Sequence, residues 1–248
     1  METHENEYNE EEYDEKEKTK PCIYDMIKKP EQILYDSLNI LMFSKNPIVI
    51  QKLLTKINIY NSITHLYGDI LEFGVYKGAT LALWLQLKKL YEPNSNTKII
   101  GFDFFNSNDT LKSLNGDNKI LMNQVLSRAN ENELDMTNIQ QKCDSIIDNS
   151  TILIKGDASK TSKEFNDKNP GARIKLLYLD MDVAEPTYNV LNNLWDKIVV
   201  GGKIVFDEYG FHKWDESNGA DNFFKKIPGK YTLTCTNVCG PTLIATKI

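Results

Sequence analysis

Five short apolar runs, each with an acidic residue at or just past its end and each separated from the next by a helix-length segment, constrain this chain most. They are Asp69-Ile-Leu-Glu72-Phe, Lys98-Ile-Ile-Gly-Phe-Asp103, Thr151-Ile-Leu-Ile-Lys with Asp157 just beyond, Ile174-Lys-Leu-Leu-Tyr-Leu-Asp180, and Lys203-Ile-Val-Phe-Asp207. Runs this short, bounded by turn residues, read as buried strands, and strands alternating with helices build right-handed βαβ units. The expected fold class is α/β: a Rossmann-like, doubly wound, mostly parallel sheet. Residues 78–91 and Pro186 to Trp195 supply two of the helices. Tyr231 to Cys235 and Pro241 to Thr246, joined at Gly240, predict an antiparallel C-terminal hairpin on the sheet edge.

Ahead of this pattern, residues 1–20 hold nine of the chain's 35 acids and three of its 29 bases, with no apolar periodicity. Such a segment buries too little to offset its ordering entropy, so a disordered acidic tail is expected. Residues 21–66 carry Ile33, Leu34, Leu38, Ile40 and Leu41, then Val49, Ile50, Leu53, Leu54 and Ile57 at helical spacing, which predicts an N-terminal helical cap. Residues 67–248 form the main domain, interrupted by a polar insertion at 106–148 that is a candidate lid, with one helix near 119–130. Beyond the tail, acids and bases balance at 26 each. A neutral body has no basic stripe for phosphates, which excludes nucleic-acid wrapping and docking on anionic membranes. No apolar stretch is long enough to span a bilayer, and the start is acidic where a signal peptide is basic, so a soluble cytoplasmic protein is expected. Cys22, Cys143, Cys235 and Cys239 read as buried reduced thiols, since Cys235-x-x-x-Cys239 lacks a second pair for zinc.

In doubly wound sheets the ligand sits beyond the carboxyl ends of the strands, so the acids there carry the functional argument. The first turn, Glu72-Phe-Gly74-Val-Tyr76-Lys-Gly78, is glycine-bearing but lacks the full dinucleotide fingerprint. It puts a carboxylate where a pyrophosphate would approach a helix N-terminus, which argues against NAD. A cation without phosphate suits it, and S-adenosylmethionine, with its ammonium and sulfonium, is the candidate. Asp103 suits a ribose diol, Asp157 an adenine amino group, and Phe104 and Asp180 complete the expected cofactor wall. The second constellation is Asp180-Met-Asp182 with Asp207-Glu208, on strands predicted to be neighbours. Like charges this close repel unless a cation neutralises them, and Asp180, Asp207 and Glu208 form an oxygen donor set suited to Mg²⁺. Asp182, the free carboxylate beside the metal ligand, is the first candidate for a general base and His212 the second. Trp84 and Trp195 are expected in the core and Trp214 at a pocket wall.

The run Tyr67-Gly-Asp-Ile-Leu-Glu-Phe-Gly-Val-Tyr-Lys-Gly-Ala-Thr-Leu-Ala-Leu-Trp, then Ile100-Gly-Phe-Asp-Phe-Phe, Leu179-Asp-Met-Asp with Pro186-Thr187, Gly201-Gly202 and Phe206-Asp-Glu-Tyr209 resembles the macrocin O-methyltransferase type of sugar O-methyltransferase. The resemblance covers residues 50–225 in order. It implies a class I S-adenosylmethionine fold and Mg²⁺-dependent methylation of a hydroxyl on a deoxysugar, sugar nucleotide or glycan, in a chain able to form a homo-oligomer. Carried over by position, Glu72 and Gly74 fall at the cofactor turn, Asp103 at the ribose, and Asp180, Asp207 and Glu208 at the metal. Many relatives have Asp-Asp where this chain has Asp207-Glu208, and the Phe104-Phe-Asn-Ser-Asn segment also departs from their pattern. The alternatives are a catechol or phenol O-methyltransferase using the same metal logic, and a non-catalytic binding protein that keeps the fold.

Overall fold

Alternation along each strand decides which helices cover which face. A computed structural model describes residues 29–248; the acidic tail expected at 1–20, and Cys22, lie outside the described residues. The chain divides into two compact units, Met1–Ile50 and Gln51–Ile248. The first holds helix α1 (Lys29–Met42), and the boundary falls within α2 (Ile48–Asn61). Among the described residues no helix is long and apolar enough to cross a membrane.

The second unit is a seven-stranded sheet of order β3-β2-β1-β4-β5-β7-β6. Its strands are β1 (Asp69–Phe73), β2 (Ile99–Asp103), β3 (Thr151–Lys155), β4 (Ile174–Leu179), β5 (Ile198–Phe206), β6 (Tyr231–Cys235) and β7 (Leu243–Lys247). The first five run parallel, and β7 pairs antiparallel with both β5 and β6. Chain order reverses between β1 and β4, so the crevice at their carboxyl ends is the switch point. Leu71 and Phe73, Leu177 and Leu179, Ile204 and Phe206 face one core, with α8 (Ala158–Lys168), α9 (Ala184–Leu194) and α10 (Glu216–Phe224) packed over it. Ile70, Leu176, Tyr178 and Val205 face the other, covered by the end of α2, α3 (Ala79–Tyr91) and α7 (Met136–Ile146). Trp84 is fully buried in the second core and Trp195 is buried in the first, as expected.

The polar insertion differs from the single helix expected. It folds as α4 (Ser107–Lys112), α5 (Gly116–Leu126), α6 (Glu131–Leu134) and α7. Capping, more than apolar periodicity, encodes these short helices: Asn106 accepts from the Asp109 amide, Asn130 and Glu133 form a reciprocal capping box, and Asp135 accepts from the Asn138 amide. The thiol expectation also needs correction. Cys143 is buried, but Cys235, at the end of the outermost strand β6, and Cys239, in the turn between β6 and β7, are exposed.

Two buried ionisable groups in these cores, Lys175 and Glu72, give measurable consequences. Lys175, in the middle of β4, is fully buried, and its Nζ donates to both carboxylate oxygens of Glu92 at 2.8 Å, while the Tyr60 hydroxyl donates to the same carboxylate at 2.7 Å. Glu92→Ala strands a buried ammonium and is expected to cost about 3–5 kcal/mol in urea unfolding, with Lys175→Met in the same chain restoring most of the loss. Glu72 shares the Ile70 face of β1, and its carboxylate accepts from Trp84 Nε1 at 2.9 Å. Burial pushes its pKa up to about 8, against the opposing pull of Lys56 and the Trp84 hydrogen bond. The folded state therefore keeps a proton that the unfolded chain releases near 4.5, and stability falls as pH rises from about 4.5 to 8. Glu72→Gln should make the decline of melting temperature over that window shallower and should melt above the wild type at pH 8, by about 2–4 °C per kcal/mol gained.

Candidate active site

The turn after β1 is shaped by contacts that only a glycine and an acid at a strand tip provide. Gly74 has φ of 91°, and a Cβ there would lie 1.8 Å from the Asp180 carbonyl oxygen, so the ends of β1 and β4 meet only with glycine at this position. Asp103, at the end of β2, accepts through Oδ2 from the amides of Val75 (2.8 Å) and Tyr76 (3.0 Å), and through Oδ1 from the amide of Phe105 (3.0 Å). Tyr76 and Phe105 both have positive φ, 51° and 54°. One carboxylate thus holds two left-handed residues from two loops, and Oδ1, with a single partner, keeps acceptor capacity toward the crevice.

That crevice is a cavity of about 690 Å³. Gly74, Tyr76, Asp103 and Phe104 line one side, Asp157, Asp180 and Asp182 another, and the insertion supplies a third wall through residues such as Asn115, Asn118 and Met122. Asp157 caps α8, accepting from the Ser159 amide at 2.9 Å. Asp215, in the loop before α10, accepts from the Ala184 amide at 2.9 Å and from the Asn118 side chain at 3.3 Å, which ties the insertion to the start of α9 across the cavity.

Four of the expected residues stand behind this wall. Glu72 is buried against Trp84 and Gly78 packs on Ile139; neither lines the cavity, so Glu72 supports the turn from below. Asp207 follows the Val205 face of β5 and is buried, accepting from the Tyr178 hydroxyl through Oδ1, with Lys52 Nζ 3.9 Å from Oδ2. Glu208 is half-buried beside it. His212 is exposed and, like Trp214, lies outside the cavity wall.

Sequence reasoning missed Glu216. It is fully buried in the first turn of α10, and Oε2 accepts from the Glu208 amide at 2.9 Å while Oε1 has no partner. Gly219 permits this position, since a Cβ there would lie 2.2 Å from the Ala184 carbonyl oxygen and push α10 off α9. Asp180, Asp182, Glu208 and Glu216 all carry raised pKa values, and loss of water around each is the first cause. Asp207 and Asp182 add to the rise at Asp180, and Glu208 and Asp207 to that at Asp182, which reaches about 7. Lys56, donating to Thr80 Oγ1 at 2.7 Å and lying over the Tyr178 ring, draws the Asp180 value back, as Lys52 does for Asp182. Among the described residues, no three His, Cys, Asp or Glu side chains are grouped to hold a metal ion as they stand. The donor chemistry nevertheless fits a hard divalent cation: carboxylate oxygens only, with one buried oxygen unpartnered.

Comparison with curated proteins returns no match. Among solved structures, the fold resembles apo CalS11, a TDP-rhamnose 3′-O-methyltransferase of calicheamicin biosynthesis, at 24% identity over 99% of this chain and 96% of that one, with a TM-score of 0.62. It also resembles the O-methyltransferase NovP, at 17% identity over 80% and 79% of the two chains with a TM-score of 0.63. The O-methyltransferase TomG from Streptomyces achromogenes, solved with S-adenosylmethionine, aligns at 10% identity over 78% and 79%, with a TM-score of 0.51. These likenesses establish the class I methyltransferase fold. The model of the family described as a methyltransferase domain matches residues 71–209, from β1 through the Asp207-Glu208 pair, and the chain belongs to that family.

Proposed function

We propose that this chain transfers the methyl group of S-adenosylmethionine to a hydroxyl of a sugar, with Mg²⁺ as the metal. The observation that carries this reading is the gathering of Asp180, Asp182, Asp207, Glu208 and Glu216 beside the switch-point cavity, where the unpartnered Glu216 Oε1 and the mutual repulsion both call for a cation. The wall supplied by the insertion is mixed, with Asn106, Thr110, Ser113, Asn115 and Asn118 beside Leu114, Met122, Val125, Leu126 and Leu134, while the aromatic residues of the wall, Tyr76, Phe102 and Phe104, belong to the ends and turns of β1 and β2. A polyhydroxylated ring suits that wall better than a flat catechol. The O-methyltransferases CalS11 and NovP support the same reading.

In this mechanism Asp103 takes the ribose diol through its remaining acceptor capacity, and Asp157 faces the adenine. The backbone of the Gly74 turn and Asp180 hold the methionine portion, with Glu72 acting through Trp84 as a positioning residue. Mg²⁺, held by Asp180, Asp207 and Glu208, would lower the pKa of a bound hydroxyl. Asp182 receives the hydroxyl proton; its pKa of about 7 suits a general base near neutrality. As the oxygen attacks the methyl carbon in line, the carbon–sulfur bond breaks and its electron pair stays on sulfur, leaving S-adenosylhomocysteine. The Asn118–Asp215 hydrogen bond ties the insertion wall to the loop before α10 at the rim of the cavity.

Methyl transfer followed with labelled S-adenosylmethionine should stop in EDTA and return with Mg²⁺ or Mn²⁺. Asp207→Asn should lower kcat/KM by about 100-fold or more, while calorimetry shows S-adenosylhomocysteine affinity within a few-fold of wild type, because Asp207 lies behind the wall. Undiminished transfer in EDTA would overturn the metal role. The acid limb of kcat/KM should report Asp182. Below about pH 7 it holds a proton and cannot accept another, so activity falls as pH drops; a cation beside it moves the limb to lower pH as Mg²⁺ rises. Asp182→Asn should abolish that limb and reduce kcat by about 10²–10⁴-fold.

A further inference from the structure

Two lysines reach the acid cluster from one face of α2, and they are held in different ways. Lys52 and Lys56 are four residues apart, which puts them one turn apart on the same side of the helix. Lys56 is tied down: its Nζ donates to Thr80 Oγ1 at 2.7 Å and lies 5.0 Å from the centre of the Tyr178 ring. Lys52 Nζ stands 3.9 Å from Asp207 Oδ2, too far for a hydrogen bond, and its side chain is 36% exposed where that of Asp207 is 6% exposed. Its place is nevertheless built. Gly240, in the turn between β6 and β7, is buried with φ of 76°, and a Cβ there would lie 2.7 Å from Lys52 Nζ and 2.6 Å from Asp207 Oδ2. The glycine thus leaves a seat in which the ammonium and the carboxylate meet. From this seat the ammonium also acts on Asp182 and Glu208, whose raised proton affinities it draws back.

Asp207 and Glu208 are two of the three acids assigned above to Mg²⁺, so the same carboxylates serve an ammonium and a divalent cation in turn. Two positive charges on one carboxylate pair repel each other. The ammonium is the one free to go: it ends a flexible four-carbon stem, has no hydrogen bond to Asp207 and is already partly open to solvent. The bond to Thr80 denies Lys56 that freedom. Lys52 also keeps protons off these acids, but a divalent ion feels its field with twice the charge of a proton. Removing the ammonium therefore favours the metal more than it favours competing protons. Resting on the metal reading above, we infer that Lys52 is a resident counter-ion of the acid cluster, a positioning residue that holds Asp207 in the cation-free protein and is displaced when a divalent cation binds.

The test titrates Mn²⁺, followed by loss of its free-ion electron paramagnetic resonance signal, into the full chain at pH 8 as wild type, Lys52→Met and Lys52→Arg. Lys52→Met should bind Mn²⁺ about tenfold more tightly than the wild type, as expected when one like charge leaves a divalent site. Lys52→Arg keeps the charge and should stay within about twofold of the wild type. Affinity in Lys52→Met equal to or below that of the wild type overturns the inference. Equal tightening in Lys52→Arg overturns it too, because the effect then belongs to packing and not to charge. Melting temperature gives a second readout that needs no activity. In EDTA, Lys52→Met should melt below the wild type, since Asp207 has lost a neutralising neighbour, and saturating Mn²⁺ should close that gap because the variant gains more from the metal. A deficit that persists unchanged in saturating Mn²⁺ counts against displacement and overturns the inference. Equal Mn²⁺ binding by all three proteins removes the inference alone, whereas no binding by any of them removes the metal reading with it.

Discussion

Like-charge crowding where β4 and β5 end is the constraint on which the rest of the site depends. Adjacent strands lie about 4.8 Å apart, and acids placed at both tips are brought together whatever the cost. The cost is accepted because the strands themselves are among the most buried parts of the chain; every residue of β4 is buried. The surrounding residues each reduce the repulsion in a different way. Tyr178 donates its hydroxyl to Asp207, Lys52 approaches the same carboxylate, and Lys56, one helical turn further along α2, reduces the rise at Asp180. The repulsion that remains raises the proton affinity of Asp180, Asp182 and Glu216.

Backbone strain is concentrated at the same rim. Tyr76, Phe105 and Asp182 are non-glycine residues with positive φ, each in a loop leaving a strand tip. Such conformations persist only where the surroundings over-determine them. For Tyr76 and Phe105 the cause is visible in Asp103, whose carboxylate accepts the amide of each. Removing that acid would release two loops together, which makes Asp103 a structural clamp at the tip of β2.

The period of two was the most informative signal in the chain, and it was also underused. Apolar runs located β1 to β5, the C-terminal hairpin and the switch point, and the acids at their ends led to Asp103, Asp157, Asp180 and Asp182, all of which line the cavity. The same alternation puts Glu72 on the Ile70 face, under Trp84, and Asp207 on the Val205 face, beside Tyr178, so neither lines the cavity itself. Glu216 was not legible, because it lies outside every strand and reaches the acids only through the close approach of α10 to α9 at Gly219. Of the insertion helices only the one at Gly116–Leu126 matches the expected helix near 119–130; the other three are marked by side-chain caps at Asn106, Asn130 and Asp135. The exposed Cys235 follows from the edge position of β6, and the exposed Cys239 from its place in the β6–β7 turn, outcomes of topology that composition does not carry.

The acids of the cavity separate into two physical kinds. Asp103, Asp157 and Asp215 have oxygens committed to backbone amides, so their positions are fixed by the loops they hold. Asp180, Asp182 and Glu216 sit where burial and mutual repulsion raise their proton affinity. The first kind surrounds the places assigned to the nucleoside and to the start of α9, where a rigid acceptor geometry costs least entropy on binding. Of the second kind, Asp180 and Asp182 line the cavity and are the pair that the proposed mechanism sets beside the acceptor hydroxyl, while Glu216 is buried outside the lining. A single residue type thus performs both tasks, and hydrogen bonding to the backbone decides which: a carboxylate held by amides becomes scaffold, and one left among other carboxylates becomes the part of the site that can take up a proton or a cation.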